Sequence, residues 1–187
     1  MQWPYQYLRK LYCQFLSSLF FFKAVQKNLH RLTTNGKNTW ADLAENHYSS
    51  LTQINPDNVK NLKVAWTYSA PDSGQMQMTP IIVDGVLYGV TATVQAFALD
   101  AATGKEIWRF ADTLQAWHST SRGVAYWSDG KDKRILYTIG PSLVALDAVT
   151  GKLIESFGEK GKVDLHTGLP ESAKDKFIIS NTPGNYF

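Results

Sequence analysis

The 187-residue chain is 44% hydrophobic and 19% charged, a balance that suits a packed core and excludes a disordered tail. Its formal charge of +3 is unevenly placed: residues 1–36 hold Arg9, Lys10, Lys23, Lys27 and Arg31 and no acid, whereas residues 37–187 carry 14 basic and 16 acidic side chains. The near-neutral remainder excludes the basic footprint of a nucleic-acid binder, and the lone cysteine, Cys13, excludes an intrachain disulfide and a cysteine-built metal site.

The chain divides at about residue 36. Arg9-Lys10 precedes a mostly apolar run from Leu11 to Phe22. A charged start followed by roughly 7–15 apolar residues has the form of a secretory signal. The run is short of the ~18 apolar residues expected of a membrane-spanning helix. The cleavage context is poor, with Ala24-Val25-Gln26 as the nearest match. Two readings stand for residues 1–36: a signal or anchor for export, and a plain N-terminal extension.

From Val64 onward, β runs alternate with turns. Val64 to Tyr68 reads as a strand, as does Pro80 to Val83, which ends at Asp84-Gly85. Asp-Gly between two apolar runs is a strong hairpin signal, and Val86 to Val90 is its partner strand. Val94 to Leu99 and Glu106 to Phe110 follow, joined by the turn Asp100-Ala101-Ala102-Thr103-Gly104. The pattern then repeats. Gly123 to Trp127 reads as a strand, Ser128 to Lys133 as a polar turn, and Arg134 to Thr138 as the next strand. Leu143 to Leu146 and Leu153 to Phe157 complete the unit. No helical period stands out beyond the leader.

The repeat is explicit. Ala98-Leu99-Asp100-Ala101-Ala102-Thr103-Gly104-Lys105 returns as Ala145-Leu146-Asp147-Ala148-Val149-Thr150-Gly151-Lys152, offset by 47 residues. A period of that size fits one four-stranded propeller blade. In each turn Asp and Thr can hold nearby amides and Gly permits the bend. Trp108, four residues after Gly104, is expected to pack on a neighbouring blade. Glu155 stands at the matching place in the second copy, so its outer packing must differ. Trp66, Trp108 and Trp127 all read as packing residues. A ring needs 4–8 blades of roughly 40–50 residues, so the fold class is all-β, a partial β-propeller of antiparallel four-stranded blades, expected to be the N-terminal part of a longer protein.

The turn with its docking Trp resembles the tryptophan-docking motif of the pyrroloquinoline quinone (PQQ) dehydrogenases, the eight-bladed quinoproteins. A second block agrees: Tyr48-Ser49, Ile54-Asn55, Asn58-Val59 and Leu62-Lys63 resemble their N-terminal signature, leading into Ala65-Trp66. A third is Trp117-His118-Ser119-Thr120-Ser121-Arg122-Gly123, which resembles the segment where an Arg-Gly pair follows a residue lying over the quinone. Many alcohol-oxidising members cover the quinone with a disulfide of adjacent cysteines. His118 instead matches the glucose dehydrogenase branch, which favours sugar oxidation. The resemblance runs from about Trp40 to the C-terminus, with Trp40 to Ala44 shortened relative to the family.

The resemblance implies a cofactor site. PQQ is a planar ortho-quinone with carboxylates, and Arg122 can grip one through its bidentate fork. His118 would cover the ring face. Ser180, in Ser180-Asn181-Thr182-Pro183, matches a family Thr-x-x-Pro whose hydroxyl bonds the cofactor. Gln77 stands where many relatives have a cofactor-contacting Glu, and its amide removes a charge. Each of the four also reads as scaffold: an ion-pair Arg, an inter-blade His, and structural Gln and Ser. The family's Ca²⁺ ligands and catalytic Asp belong to later blades, and no residue here is assigned to either. Asp164, Glu171 and Asp175 read as solvated loop acids.

The family resemblance implies a periplasmic enzyme, at or near the membrane, that oxidises a glucose-like aldose or an alcohol. Electrons would pass to a respiratory acceptor, a quinone or a cytochrome. The isolated chain is expected to be inactive. The alternative is a non-catalytic propeller scaffold for protein–protein contacts, of the outer-membrane assembly lipoprotein kind. A truncated, inactive gene product is a third reading.

Overall fold

In the computed structural model, which describes residues 52–111 and 120–183, eight short strands follow one another along the chain. β1 (Ile81–Val83), β2 (Val86–Val90), β3 (Ala96–Asp100) and β4 (Glu106–Phe110) form one antiparallel sheet in sequential order. β5 (Ala125–Ser128), β6 (Lys133–Ile139), β7 (Ser142–Asp147) and β8 (Lys162–Asp164) form a second with the same order. The only helical pieces among the described residues are two 3-10 turns, Val59–Asn61 and Glu171–Ala173.

Local chemistry sets the hairpins. Asp84 (φ 51°) and Gly85 (φ 78°) both take positive φ, as a two-residue hairpin turn with the strands' own twist requires. The β5–β6 turn is held by Asp129, whose Oδ1 accepts the amides of Lys131 (2.9 Å) and Asp132 (2.7 Å). Along β6 burial alternates, with Ile135, Tyr137 and Ile139 on the buried face.

That face packs against the first sheet. One core joins Val83, Tyr88, Val90 and Trp108 to Tyr126, Ile135, Tyr137 and Val144. Tyr88 is its hinge, with its ring centroid 6.1 Å from both Trp108 and Tyr126. The opposite face of the first sheet carries Leu87, Phe97 and Leu99 and is covered by Trp66 and Tyr68. The first sheet is therefore apolar on both faces, as a blade between neighbours must be.

The two docking turns match bond for bond. Asp100 Oδ1 accepts the Ala102 amide (3.1 Å), the Thr103 amide (2.7 Å) and the Thr103 hydroxyl (2.7 Å). Asp147 Oδ1 does the same for Val149 (3.1 Å) and for the amide and hydroxyl of Thr150 (both 2.7 Å). Gly104 and Gly151, at φ 72° and 70°, each donate their amide back to the Asp carbonyl at 2.8 Å. Each turn then receives an indole. A Cβ on Gly104 would lie 2.4 Å from the Trp66 ring, and one on Gly151 2.6 Å from the Trp108 ring. Trp66 Nε1 donates to the Ala101 carbonyl (3.2 Å), and Trp108 Nε1 to the Ala148 carbonyl (3.0 Å). Glycine thus serves two needs at once: a left-handed turn and a bare surface for an aromatic face.

Two expected strands differ. Val64 to Tyr68 makes no ladder among the described residues; it lies along the first sheet through alternate side chains, Trp66 and Tyr68 inward. Leu153 to Phe157 is not the fourth strand of the second sheet. Only Leu153 bridges to Leu146, the chain then turns, and pairing with β7 resumes at Lys162–Asp164. Glu155 offers no indole to dock, and Gly158 and Gly161 at positive φ allow the detour. Trp108 docks as read, Trp66 docks in the same way on the first turn, and Trp127 is half-buried under the Arg134 guanidinium at 4.8 Å.

Burial slightly disfavours ionised Asp100, but the Thr103 hydroxyl is the larger influence and holds its carboxyl below the ordinary 3.8. Its contribution to stability is therefore present above pH 3.8 and lost as the pH falls through the lower, folded-state value. Asp100→Asn should flatten the acid limb of a stability–pH curve followed by circular dichroism; an unchanged limb would contradict this role. Gly151→Ala should cost about 3 kcal/mol in urea unfolding, combining positive φ with overpacking. Gly130→Ala, where φ is 95° and nothing lies within 4 Å, should cost only about 1 kcal/mol. In a Trp108→Ala background the Gly151→Ala cost should fall to the Gly130→Ala value.

Candidate functional site

Three backbone segments meet at one end of the stacked sheets. The first, residues 77–79, leads into β1; the second, residues 121–124, leads into β5; the third is residues 178–182. The Thr79 amide donates to the Arg122 carbonyl (2.9 Å), and the Arg122 amide donates to the Asn181 carbonyl (2.8 Å). The three segments are thus linked side by side through Arg122. Gly123 makes the approach possible: at φ 137°, a Cβ there would lie 2.7 Å from the Thr79 carbonyl oxygen.

The buried hydroxyl of Ser121 closes a loop over Arg122. Its Oγ accepts the Gly123 amide (3.3 Å) and donates to the Gly123 carbonyl (3.2 Å). With its main chain committed on both sides, Arg122 extends an exposed side chain, and among the described residues no carboxylate pairs with its guanidinium. Ser180 is exposed; its Oγ donates to the Thr182 carbonyl (3.3 Å), and its own carbonyl accepts from the Thr138 hydroxyl on β6. Gln77 is exposed, two residues before Thr79. Gln77, Arg122 and Ser180 therefore lie on adjacent segments, although 103 residues separate the first from the last. His118 lies outside the described residues, as does the leader.

The signature around Ile54 has a structural explanation. Asn55 Oδ1 accepts the amides of Asp57 (3.0 Å) and Asn58 (3.1 Å), Asn58 Oδ1 accepts the Asn55 amide (2.9 Å), and Asn58 Nδ2 donates to the Gln53 carbonyl (2.8 Å). Two asparagines brace the turn before Val59–Asn61 and do no chemistry. Away from the linked segments lies a polar cluster on the other face. Tyr68 donates to Glu106 Oε2 (2.6 Å), and Arg109 pairs with the same carboxylate (2.8 Å). Burial, then the bond to Glu106, pushes the Tyr68 hydroxyl up to about 12. Asp72 accepts from the hydroxyls of Thr91 and Thr93; burial works against its charge, but these bonds hold its carboxyl low. Asp164 is not merely solvated: its Oδ1 meets His166 Nδ1 at 2.7 Å.

Three linked segments carry a hydroxyl, a neutral amide and a guanidinium with no carboxylate partner among the described residues, a donor set whose chemistry suits an anionic group. Among the described residues no group of three His, Cys, Asp or Glu is placed to hold a metal ion. Nor is any described helix long and apolar enough to cross a membrane.

Stacked four-stranded meander sheets joined by docking indoles are the features of β-propeller blades. The family model for the glucose/ethanol/alcohol dehydrogenase β-propeller domain of PQQ enzymes matches residues 37–186, and the chain belongs to that family. It is 38% identical over 153 residues to the dehydrogenase subunit of a quinone alcohol dehydrogenase from Gluconobacter oxydans (strain 621H), covering 74% of this chain and 20% of that protein. It is 36% identical over 160 residues to the quinoprotein glucose dehydrogenase of Escherichia coli (strain K12), covering 73% and 20%. The crystal structure of quinohemoprotein alcohol dehydrogenase from Comamonas testosteroni superimposes with a TM-score of 0.62 at 29% identity, covering 75% of this chain and 21% of that one. The chain spans about a fifth of the length of these relatives. Alcohol-oxidising and glucose-oxidising relatives match to a similar degree, and family membership sets aside the non-catalytic scaffold reading.

Gly123→Ala should break the link through Arg122, since backbone rather than a flexible side chain opposes the new methyl. The expected outcome is loss of hydrogen-exchange protection at the Thr79 amide, with β2–β3 protection retained. Unchanged Thr79 protection would show that the close approach does not need glycine.

Proposed function

We propose that this chain supplies part of the PQQ-holding wall of a dehydrogenase that oxidises an aldose sugar or an alcohol. The observation that carries the reading is the linked trio of segments, which puts Arg122 beside those bearing Gln77 and Ser180 within the family match. Bound PQQ would supply the two-electron acceptor for a hydride leaving the substrate carbon. Arg122 binds a cofactor carboxylate through its fork, its direction set by main-chain bonds on both sides. Ser180 offers its hydroxyl to the same group. Gln77 contributes hydrogen bonds without charge, so Arg122 keeps its full positive field for the anion. His118 covers the quinone face and excludes water from it.

The sugar is favoured over a small alcohol because His118 replaces the adjacent cysteines that cover the quinone in many alcohol-oxidising members; the only cysteine is Cys13. In this reading residues 1–36 deliver the blades to the periplasm, at or near the membrane, where a quinone or a cytochrome takes the electrons. Ca²⁺ and the base that takes the substrate proton are assigned to blades other than these two, so the chain alone holds PQQ weakly and does not turn over.

Titration of the chain with PQQ in the presence of Ca²⁺, followed by fluorescence, tests the assignment. Arg122→Ala should weaken binding by roughly three- to tenfold, a charge-assisted bond reduced by solvent exposure. Equal affinity in the two proteins would remove Arg122 from the site. Dye reduction by the chain with glucose, PQQ and Ca²⁺ should stay at background, and turnover would overturn the assignment of the chemistry to other blades.

A further inference from the structure

His166 sits between two acceptors. Its Nδ1 is 2.7 Å from Asp164 Oδ1, and its Nε2 is 2.9 Å from the Lys176 carbonyl oxygen. A backbone carbonyl cannot donate, and neither can an ionised carboxylate. Both ring nitrogens must therefore carry protons for both bonds to exist, which makes the ring an imidazolium. Asp164 is prepared for this role, because it also accepts the His166 amide (3.0 Å), the first of the bonds that hold its carboxyl low.

The bond to Lys176 ties the end of a loop to β8. Asp164 ends β8, and residues 165–176 run out through the 3-10 turn Glu171–Ala173 and return at Lys176. Four and five residues later the same segment is tied again, by Thr138 to the Ser180 carbonyl and by Arg122 to the Asn181 carbonyl. The stretch between, Phe177 to Asn181, has His166 at one end and the linked trio at the other. Side-chain burial in the stretch is partial: Phe177 is 78% exposed, and Ile178 and Ile179 are half-buried.

We propose that His166 is a pH-dependent positioning residue, a doubly protonated clamp that holds the segment carrying Ser180 against β8 and beside Arg122. That Ser180 meets PQQ rests on the function proposed above; the clamp itself does not. The groups that face the ring are Asp164 from β8, together with Lys174, Asp175 and Lys176 from the returning loop, and Pro141 adds no charge. Asp164 and Asp175 favour the charged ring; Lys174 and Lys176 oppose it, with Lys174 paired to Glu171. The bond to the Lys176 carbonyl, then the bond to Asp164, raise His166 above the ordinary 6.5. The sign follows: the clamp's contribution is complete below about pH 6.5 and is lost as pH rises through the higher, folded-state value.

Long-range ¹H–¹⁵N spectra of the ¹⁵N-labelled chain, taken from about pH 5 to about pH 9, read the ring directly. His166→Gln identifies its signals. Both nitrogens should be protonated at neutral pH, with a midpoint above 6.5. The amides of Phe177 to Asn181 should shift with that same midpoint, and in His166→Gln those shifts should vanish. His166→Arg, which keeps a charge and more than one donor, should hold the segment at every pH and covers the case in which the Gln variant does not fold. A midpoint at or below 6.5, or a segment that ignores the titration, would overturn the clamp. PQQ plays no part in the measurement, so failure of the cofactor reading would leave its outcome untouched.

Discussion

The packing of an indole onto a bare glycine turn is the constraint on which the rest of this structure depends. A four-stranded sheet with two apolar faces cannot stand alone, and each blade must cover the next. Trp66 and Trp108 accomplish this across the two docking turns, each with a face against a glycine and an N–H on a backbone carbonyl. The interaction is exacting because it combines three demands. The Asp must gather the amides, the Gly must adopt positive φ, and the Trp must come from the preceding outer segment. Both turns meet all three, with Trp66 on the first and Trp108 on the second; after the second turn Glu155 stands where the first unit has Trp108, and there the outer strand leaves its sheet between Leu153 and Lys162.

Stacking fixes the spacing between sheets, and the spacing fixes the candidate site. The leading segments of successive sheets come close enough for direct backbone bonds, from Thr79 to Arg122 and from Arg122 to Asn181. A side chain placed there inherits the rigidity of the cores on either side without being buried itself. This is the arrangement a binding site needs: the main chain of Arg122 is committed on both sides, and among the described residues no carboxylate pairs with its guanidinium. The loops that complete the rim are longer and less apolar, and their order relies on polar clamps such as His166 rather than on packing.

Much of this was legible in the sequence, because propeller blades repeat and repetition is visible. The Asp-x-x-Thr-Gly turns, the Asp84-Gly85 hairpin and seven of the eight strands follow from local rules that tertiary structure does not overrule. The fourth strand of the second sheet differs for a reason that local pattern does not weigh: Leu153 to Phe157 has strand-like residues, but only Leu153 pairs, and the chain folds back through Gly158 and Gly161, each at positive φ and in tight contact with Lys162 or Leu153. The site was legible only in part. Arg122 and Ser180 could be picked out by resemblance, whereas their juxtaposition arises from backbone bonds between segments 59 residues apart, and sequence spacing carries no trace of them. Asp164 looked like a solvated loop acid and nothing singled out His166, because the Lys176 carbonyl that pairs with the ring has no side-chain signature.

Gln77 shows how one neutral residue can alter the electrostatics of such a site. A carboxylate there would stand on the segment bonded to Arg122 and would compete with an anionic ligand for the guanidinium. An amide keeps hydrogen-bonding capacity and removes the competitor. A like charge beside an incoming carboxylate would also raise the cost of bringing it in. With an amide at Gln77, the proposed site would be more positive and would rely on Arg122 for the charge that meets a cofactor carboxylate. Discrimination among anions would then fall to the hydrogen bonds that the Gln77 and Ser180 segments can offer and to whatever covers the ring.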